Sequence, residues 1–440
     1  MRIGIVSLGC PKNLVDSELI LGKLAGACYV LARNVDESDV ILLNTCGFIH
    51  DAKEESIDAI LDLIELKKTG KIRALIVMGC LVQRYSKELQ KNFKEVDAFL
   101  GSGDYQKIGS ILEKVLIGKK SANVEELGYL GLSNEKRSPL TPRYYRYLKI
   151  SEGCNHTCSF CVIPKIRGKF RSRKIPDVLR EAKRLVKEGA KELILIGQDT
   201  TQFGCDYAGK PLLAQLLRKL DKLKGLKWIR LLYTYPSSVT DELIEVMAAS
   251  RKICRYIDIP LQHISDKILR SMRRGISKEK TLALVRKLRA KLPGLAIRTS
   301  FIVGYPGETE REFRELLQFI REMRFERLGI FKYSCEPGSR ASELPNQVPE
   351  KIKEKRYHKA MRAQREIARE TARCYIGKRL EVLLEGKCGD KPGMWQGRSG
   401  MDAPDIDTNV LIRSKKNLKP GHFYNVTITG TSEYDLVGQI

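Results

Sequence analysis

Residues 142–373 contain six successive repeats of one pattern, a short apolar run followed by an amphipathic stretch. The apolar runs are typical of buried parallel strands, and the amphipathic stretches are typical of the helices that cover them. Six such units predict a central partial (βα) barrel, so the fold class of the chain is α/β. The predicted strands are Arg146–Ile150, Leu193–Gly197, Ile229–Tyr233, Tyr256–Pro260, Ile297–Val303 and Leu328–Tyr333.

Three cysteines follow the first of these strands, at the strand end where such barrels place their chemistry. Cys154, Cys158 and Cys161 have the spacing C-x3-C-x2-C. Three thiolates are one short of the four ligands of a 4Fe–4S cubane, so one iron stays open for an outside ligand. The spacing matches the radical S-adenosylmethionine (SAM) motif, in which SAM binds that iron. We therefore predict that these cysteines hold a catalytic cluster.

A structural zinc site and simple buried thiols are the alternatives for this triplet. Zinc sites pair two cysteine knuckles or add histidines to the cysteines. His156 lies inside the triplet, but the sequence has no second knuckle near it. The cluster is therefore the preferred interpretation.

Polar residues and a turn follow two other predicted strands. Gln198 and Asp199 follow the second strand, and we expect them to contact the ribose of SAM. The turn Gly304-Tyr305-Pro306-Gly307-Glu308 follows the fifth strand and is expected to cradle SAM. The alternatives are an ordinary Pro-Gly turn and, for Glu308, a helix cap.

Residues 1–117 predict an N-terminal parallel α/β domain that carries a second cysteine trio. Predicted strands end just before Cys10, Cys46 and Cys80, and Gly9, Gly47 and Gly79 flank these cysteines; the strands are Ile3–Leu8, Val40–Asn44 and Ala74–Met78. Ligands bind beyond the carboxyl ends of parallel strands, so the three thiols are expected to converge and hold a second 4Fe–4S cluster. The alternative is three small core residues. The predicted helices are Asp16–Leu31, Asp51–Lys68 and Tyr85–Phe93.

Two further segments complete the chain. Residues 118–141 are polar and rich in turn-forming residues, and are expected to be a linker. A charged helix is predicted over Lys351–Ala372. Residues 374–440 alternate short strands with Gly and Pro turns and predict a small antiparallel β-barrel; the strands are Leu380–Glu385, Val410–Arg413, Tyr424–Gly430 and Asp435–Ile440.

The net charge of +26 lies in the centre of the chain, because residues 118–373 hold 55 Lys and Arg against 29 Asp and Glu. Such an excess suggests a polyanion partner such as RNA, although solvated helix faces explain part of it. Six cations directly after the cluster loop are expected to form a basic rim, namely Lys165, Arg167, Lys169, Arg171, Arg173 and Lys174.

The chain has twelve cysteines but neither an export signal nor an apolar span. These features predict a cytoplasmic protein with reduced thiols and no membrane contact.

The chain resembles the radical-SAM methylthiotransferase family over its full length, and it is most similar to the branch that modifies small-subunit ribosomal protein S-twelve (uS12). That family joins a three-cysteine domain, a radical-SAM core and a C-terminal TRAM barrel. The matching motifs are Ser-Leu-Gly-Cys-Pro-Lys-Asn-Leu-Val-Asp-Ser-Glu (7–18), Asn-Thr-Cys-Gly-Phe-Ile (44–49), Ile-Pro-Lys-Ile-Arg-Gly-Lys-Phe-Arg-Ser-Arg (163–173), Ile-Pro-Leu-Gln-His (259–263), Arg-Thr-Ser-Phe-Ile-Val-Gly-Tyr-Pro-Gly-Glu-Thr (298–309) and Asp-Ala-Pro-Asp-Ile-Asp (402–407).

The resemblance implies two 4Fe–4S clusters, SAM as both radical source and methyl donor, and an aspartate of uS12 as the target. The β-carbon of that aspartate would exchange C–H for C–S–CH3, with an external electron donor and a sulfur donor that the sequence does not identify. It also implies that Phe160 packs near the SAM adenine, with a plain core aromatic as the alternative.

The acidic residues Asp402, Asp405 and Asp407 are expected to help a near-neutral C-terminal barrel to dock the basic target, free or within the ribosome. A tRNA adenosine methylthiotransferase and a non-catalytic iron–sulfur RNA-binding protein are the competing functions. The tRNA branch typically carries Gly-Cys-Gln-Met-Asn at its first cysteine, whereas this chain carries Gly-Cys-Pro-Lys-Asn.

Overall fold

The structure is a computed structural model that describes residues 1–25, 29–32, 34–125, 127, 129–131, 133–389 and 393–440. The strands are β1 (Arg2–Ser7), β2 (Val30–Leu31), β3 (Val40–Thr45), β4 (Ala74–Gly79), β5 (Ala98–Leu100), β6 (Ser121–Asn123), β7 (Tyr145–Lys149), β8 (Ser151–Glu152), β9 (Arg171–Ser172), β10 (Glu192–Ile196), β11 (Trp228–Leu231), β12 (Tyr256–Asp258), β13 (Ala296–Val303), β14 (Arg327–Lys332), β15 (Arg379–Lys387), β16 (Met394–Ser399), β17 (Val410–Arg413), β18 (Phe423–Ser432) and β19 (Asp435–Gln439).

The α-helices are α1 (Pro11–Ala25), α2 (His50–Lys68), α3 (Cys80–Asn92), α4 (Ile108–Leu116), α5 (Ile163–Arg167), α6 (Ile175–Lys187), α7 (Cys205–Ala208), α8 (Leu213–Asp221), α9 (Asp241–Ala249), α10 (Asp266–Ser271), α11 (Lys278–Lys291), α12 (Glu310–Met323) and α13 (Glu350–Arg373). Short 3-10 helices cover Val35–Glu37, Tyr105–Lys107, Pro236–Ser238 and Arg340–Glu343.

The N-terminal domain is built on a parallel sheet whose order, within the described residues, is β2-β1-β3-β4-β5-β6. Every residue of β3 and β4 is buried, because helices cover both faces of these central strands. Since β1, β3 and β4 are adjacent and parallel, the segments that leave them emerge side by side at one edge.

One predicted helix of this domain has the wrong bounds, and another is preceded by a helical segment that was not predicted. The first, Asp16–Leu31, actually begins at Pro11, and its predicted last residues Val30–Leu31 form the edge strand β2 instead; residues 26–28 lie outside the described part. Proline lacks a backbone N–H, and the first N–H groups of a helix have no partner within the helix, so proline suits this position. The helix therefore starts directly after Cys10. The helix predicted over Tyr85–Phe93 is present and ends at Asn92, but a further helical segment precedes it from Cys80, and non-helical backbone at Tyr85 separates the two.

The centre of the chain is the predicted partial barrel of parallel strands. Strands β7, β10 and β11 form one sheet and β12, β13 and β14 form another, and a parallel bridge joins Ile229 of β11 to Ile253, three residues before β12. Helices α6, α8, α9, α11 and α12 pack outside against a core of buried aliphatic residues. The loops that follow β7, β10, β11, β12 and β13 therefore lie on the same face of the molecule.

The C-terminal residues form a closed barrel in the order β15-β16-β17-β19-β18. The predicted barrel is confirmed, with the added strand β16 and with one parallel pair, β17 and β19, among otherwise antiparallel pairs. A buried network ties this barrel to the opposite ends of the central strands, where Glu192 at the start of β10 binds Arg398 (2.5 Å) and Arg230 (2.8 Å).

Residues 118–141 connect the first two domains through specific contacts. Strand β6 extends the N-terminal sheet by pairing with β5. Arg137 is buried, with ion pairs to Glu18 of α1 and to Glu181 of α6 (2.7 Å). This segment therefore fastens the N-terminal domain to the barrel. Across the described part of the chain, no helix has the length and apolar character needed to cross a bilayer.

Candidate active site

The first cysteine trio lies at the carboxyl edge of the N-terminal sheet. Cys10, Cys46 and Cys80 follow the adjacent strands β1, β3 and β4. Gly9 has φ of +84°, and a Cβ added there would lie 2.8 Å from Cys46 Cβ and 3.0 Å from Cys46 Sγ. The loops that carry Cys10 and Cys46 thus approach so closely that a side chain at residue 9 would not fit.

Cys80 is the most enclosed thiol of this trio. Burial raises its pKa to about 12. The guanidinium of Arg167 opposes this effect, since its Nε and Nη2 lie 3.3 and 3.1 Å from Cys80 Sγ. A thiolate that ligates iron is negatively charged and is costly to bury without a cation. Arg167 is such a cation, so the donor set fits an iron cluster.

The second trio lies in the loop that follows β7 and β8. Burial raises the pKa of Cys154 to about 11 and that of Cys161 to about 12. Cys158 accepts a hydrogen bond from Arg274 Nη1 at 3.3 Å, and Cys161 Sγ accepts one from the backbone N–H of Ile163 at 3.4 Å. Each trio therefore has a buried arginine directed at one sulfur.

The spacing of the sulfurs bears on the zinc alternative. Among the described residues, no three His, Cys, Asp or Glu side chains lie close enough together to share one metal ion. The ligands of a cubane bind at separate corners, so that they need not meet at one point. The residues present fit two cluster sites, each with three thiols and a compensating arginine.

A buried ionic network joins the two trios. Asp16 of α1 binds Lys149 (2.6 Å) and Arg167 (2.7 Å), while Glu152 binds Lys149 (2.9 Å) and approaches Arg167 (3.5 Å). These side chains are at most 4% exposed. Burial alone would raise the pKa of Glu152, but Lys149 and Arg167 outweigh it and lower that pKa. Because Asn13 of α1 also accepts from Arg167, the network fixes the first trio relative to the barrel.

The predicted SAM contacts Gln198 and Asp199 both lie beside the second trio. Gln198 donates to Glu152, and its Oε1 is buried without a hydrogen-bond partner among the described residues. Such an orphaned acceptor fits a ribose hydroxyl. Asp199 accepts from Thr201 and lies 2.6 Å from His156 Nε2, so it holds the cluster loop through His156.

Phe160 and Gly304 also lie at these strand ends. Phe160 is half-buried and packs against a buried cluster that includes Met272, Tyr305 and Tyr333. Gly304 has φ of +72°, and a Cβ there would meet Lys353 of α13 at 2.3 Å. The turn therefore packs against α13 at this position.

The carboxylate of Glu308 is occupied inside its own turn. It accepts from the N–H of Gly304 at both oxygens (3.1 Å), pairs with Arg356 (2.7 Å), and lies 3.4 Å from His263. The cap of α12 is formed instead by Thr309 and Glu312. This geometry gives Glu308 a structural role inside the turn in place of the helix cap, and its contact with SAM stays a prediction.

Several contacts at the site are not predicted by the sequence. His156 stacks on Tyr235 with ring centroids 3.6 Å apart, and the Tyr235 hydroxyl lies 3.8 Å from Cys158 Sγ. Lys12 Nζ lies 3.3 Å from the centroid of the Tyr233 ring. These contacts join distant segments. Lys12 lies in the motif around Cys10 and His156 lies inside the cysteine triplet, whereas Tyr233 and Tyr235 carry no such signal.

The predicted basic rim is wrong for two of its six members. Arg167 and Arg173 are 3% and 4% exposed, and Arg173 pairs with Asp177 (2.7 Å) and Glu181 (2.5 Å). These two arginines therefore form buried ionic contacts and do not belong to a basic rim. Lys165, Lys169 and Lys174 remain exposed, and Arg171 is half-buried.

The predicted acidic docking loop is also largely interior. Asp402 is 1% exposed, pairs with Arg327 and accepts from Ser399 (2.6 Å). Asp407 accepts from the Tyr256 hydroxyl (2.7 Å). Two of the three carboxylates thus fasten the C-terminal barrel to the central strands, and only Asp405 is exposed.

Comparison with known families agrees with this three-part architecture. The chain matches the Radical SAM superfamily over residues 148–320 and the TRAM domain over residues 376–440. Residues 2–101 match the Uncharacterized protein family UPF0004. The class defined by the fold and the two trios is thus a radical SAM enzyme with an additional three-cysteine domain.

Similar proteins with assigned names indicate which radical SAM family the chain belongs to. The chain is 50% identical to the ribosomal protein uS12 methylthiotransferase RimO of Pelotomaculum thermopropionicum, over 100% of this chain and 99% of that protein. It is 45% identical to RimO of Clostridioides difficile, again over 100% and 99% of the two chains. The chain belongs to the RimO family of radical SAM methylthiotransferases, whose cofactors are SAM and 4Fe–4S clusters.

A solved structure supports the fold. The radical SAM methyltransferase TsrM from Kitasatospora setae superimposes with a TM-score of 0.55 at 14% identity, over 75% of this chain and 72% of that one. At this identity the likeness concerns the fold alone.

Proposed function

We propose that the chain transfers a methylthio group to the β-carbon of one aspartate of ribosomal protein uS12. The observation that carries this proposal is identity of 45–50% over the whole chain with enzymes named for that reaction, in a structure that presents two cysteine trios at strand ends. The bond exchange is C–H for C–S–CH3. An unactivated C–H next to a carboxylate resists removal by an ordinary base, which suits radical chemistry.

We assign the two cofactor sites by their place in the fold. Cys154, Cys158 and Cys161 would hold the SAM-binding cluster, and the three cysteines of the N-terminal domain would hold the second one. When bound, these groups supply a carbon radical that takes a hydrogen atom and a sulfur that replaces it. Gln198 would contact SAM through its free Oε1, and Phe160 would pack beside it.

The chain itself contributes charge compensation, orientation and exclusion of water. Arg167 and Arg274 lie against cluster sulfurs, where hydrogen bonds and nearby cations tune iron–sulfur sites. The network of Asp16, Lys149 and Glu152 is buried and fixes one trio relative to the other. A water-poor site protects a reactive radical from side reactions.

Further features of the reaction are part of the same proposal. The reaction would take place in the cytoplasm, draw one electron from an external donor, and use a sulfur source that we do not assign. The exposed Lys165, Lys169 and Lys174 would suit contact with ribosomal RNA when uS12 is presented within the ribosome.

The test is mass spectrometry of both candidate products. A strain that lacks its own enzyme is complemented with this chain, and uS12 peptides and tRNA nucleosides are analysed from the same cells. We expect a gain of one methylthio group on uS12 and unchanged tRNA. Methylthiolated adenosine in tRNA together with unmodified uS12 would show that the substrate is tRNA. The net charge of +26 would then be explained by binding to that RNA.

A further inference from the structure

Lys12 is a buried cation at the junction of the two cysteine trios. It follows Cys10 by two residues in the first turn of α1, and it is 8% exposed. Its ammonium points away from its own domain and meets the face of Tyr233, 3.3 Å from the ring centroid. Tyr233 lies just beyond β11, at the strand ends where the second trio also lies. Lys12 therefore lies where the N-terminal domain meets the strand ends of the barrel.

This ammonium has no carboxylate partner in the described part of the chain, where every Asp and Glu oxygen lies beyond 4.0 Å from it. The nearest acidic groups are already engaged. Asp16 is shared by Lys149 and Arg167, and Glu152 is held by Lys149 and Gln198. A buried charge of this kind is expensive unless something pairs with it. The contact with the face of the Tyr233 ring offsets part of that cost, and Glu152 contributes at longer range.

The surface that receives Lys12 is held in an unusual conformation. Tyr233 has φ of +58°, a left-handed backbone that is strained for an aromatic residue. Its N–H donates to Asp258 (2.9 Å) and its carbonyl accepts from the N–H of Thr200 (2.9 Å). The barrel therefore keeps the ring under Lys12 by two fixed backbone contacts, as expected of a positioned binding element.

We propose that Lys12 binds the carboxylate of the target aspartate and so places its β-carbon between the two trios. This inference rests on the proposed function, because it supplies the reason why an aspartate fits the site. An ammonium with three donors is a suitable partner for a carboxylate, and a desolvated pair of this kind contributes strongly to recognition. Lys12 is thus a positioning residue for the substrate.

The alternative role for Lys12 is charge compensation for a cluster on neighbouring Cys10. The two roles differ in what a neutral side chain does. Loss of a compensating charge changes the cluster itself, whereas loss of a substrate anchor leaves the cluster intact and removes the preference for aspartate.

The test is a double-mutant cycle on binding. A uS12 peptide with the target aspartate, and the same peptide with asparagine, are titrated anaerobically into the reconstituted full-length enzyme with SAM but without reductant. In the native enzyme, asparagine should weaken binding at least about tenfold. In Lys12→Met, a neutral side chain of similar length, the aspartate peptide should weaken similarly and the two peptides should differ less than about twofold. Lys12→Arg keeps the charge and should keep part of the discrimination.

Lys91→Met is the matched control, because Lys91 is exposed on the same domain. It should bind both peptides as the native enzyme does. The iron content of Lys12→Met should remain native.

If Lys12→Met still binds the aspartate peptide as much more tightly than the asparagine peptide as the native enzyme does, the inference is overturned. If both Lys12→Met and Lys12→Gln lose iron, Lys12 serves the cluster and the inference is likewise overturned. A native enzyme that binds neither peptide but methylthiolates tRNA refutes instead the proposed function.

Discussion

Arg167 Nη2 lies 3.1 Å from Cys80 Sγ, although Arg167 belongs to the central barrel and Cys80 to the N-terminal sheet. Arg274 stands in a similar relation to Cys158, at 3.3 Å within the barrel. Each candidate cluster thus has a cation of its own, and the cation of the N-terminal cluster comes from the neighbouring domain.

This pairing predicts that the two arginines act on different clusters. Arg167→Met should lower the reduction potential of the N-terminal cluster, because removing a nearby cation disfavours the added electron. The other cluster should not change, and Arg274→Met should give the converse pattern. Redox titration followed by electron paramagnetic resonance resolves the two signals, with Arg167→Lys as the charge-conserving control. Equal shifts of both clusters in either variant would refute the assignment.

The second prediction is the iron content. Two cubanes correspond to about eight irons per chain after anaerobic reconstitution. Cys158→Ala should lose roughly half of them, because the N-terminal trio does not depend on that thiol. Iron is measured by elemental analysis, and the partly exposed Cys205 provides a control when it is changed to Ala. An unchanged iron content in Cys158→Ala would contradict the two-site assignment.

The third prediction separates the tasks of the trios. Cys154→Ala or Cys161→Ala should abolish 5′-deoxyadenosine formation, because SAM would lose its binding iron. Cys46→Ala should still cleave SAM but should not transfer sulfur to uS12. Chromatography of the nucleoside and mass spectrometry of the uS12 peptide report the two steps independently. Normal methylthiolation by Cys46→Ala would make the N-terminal trio purely structural.

The fourth prediction concerns the attachment of the C-terminal barrel. Asp402→Asn should destabilise the protein by about 3 kcal/mol, because it leaves the largely buried Arg327 without its counter-charge. Asp405→Asn, three residues away, should be nearly neutral, since Asp405 is exposed and its φ of +66° suits asparagine. Denaturant unfolding of both variants gives the comparison. Equal stability of the two would show that the buried pair contributes little.

The fifth prediction is a dependence on pH through Glu181. Burial would raise its pKa, but Arg137 and Arg173 outweigh burial, so the pKa lies below its usual value. A carboxyl whose pKa is lower in the folded state stabilises the fold above the unfolded value of about 4.3, and loses this effect as pH falls through the folded value. The native enzyme should therefore lose stability faster than Glu181→Gln below about pH 4.5. Denaturant midpoints measured from about pH 6 to pH 3 test this, and parallel curves would disprove it.

The parts of the site that were predictable are those set by a single strand and the residues just after it. Cys10, Cys46 and Cys80 could be placed together because the ends of adjacent parallel strands meet at one edge. The same reasoning placed Gln198 and Gly304 near the second trio. The closed C-terminal barrel followed from short strands and turns, but β16, with Gly397, Arg398 and Ser399 in its second half, lacks the alternation that marks a strand.

The contacts that could not be predicted depend on how the domains pack. Arg167 and Arg173 count as surface charges in the sequence, because burial of an arginine is decided by distant acids such as Asp16 and Glu181. The acidic residues Asp402 and Asp407 were misjudged for the same reason, since their partners Arg327 and Tyr256 precede them by 75 and 151 residues. The sequence shows which charged side chains are present, but only the folded structure determines which of them form ion pairs.

The contact between Arg167 and Cys80 has a consequence for how the enzyme is made. Arg167 is synthesised 87 residues after Cys80, so a growing chain with a finished N-terminal sheet still lacks the cation at its most buried thiol. That cation arrives only after Cys154, Cys158 and Cys161 have also been translated. The cation of the second trio, Arg274, is likewise synthesised 116 residues after Cys158. Both sites therefore obtain their cations only after all six cysteines have been translated, and the N-terminal site obtains its cation first.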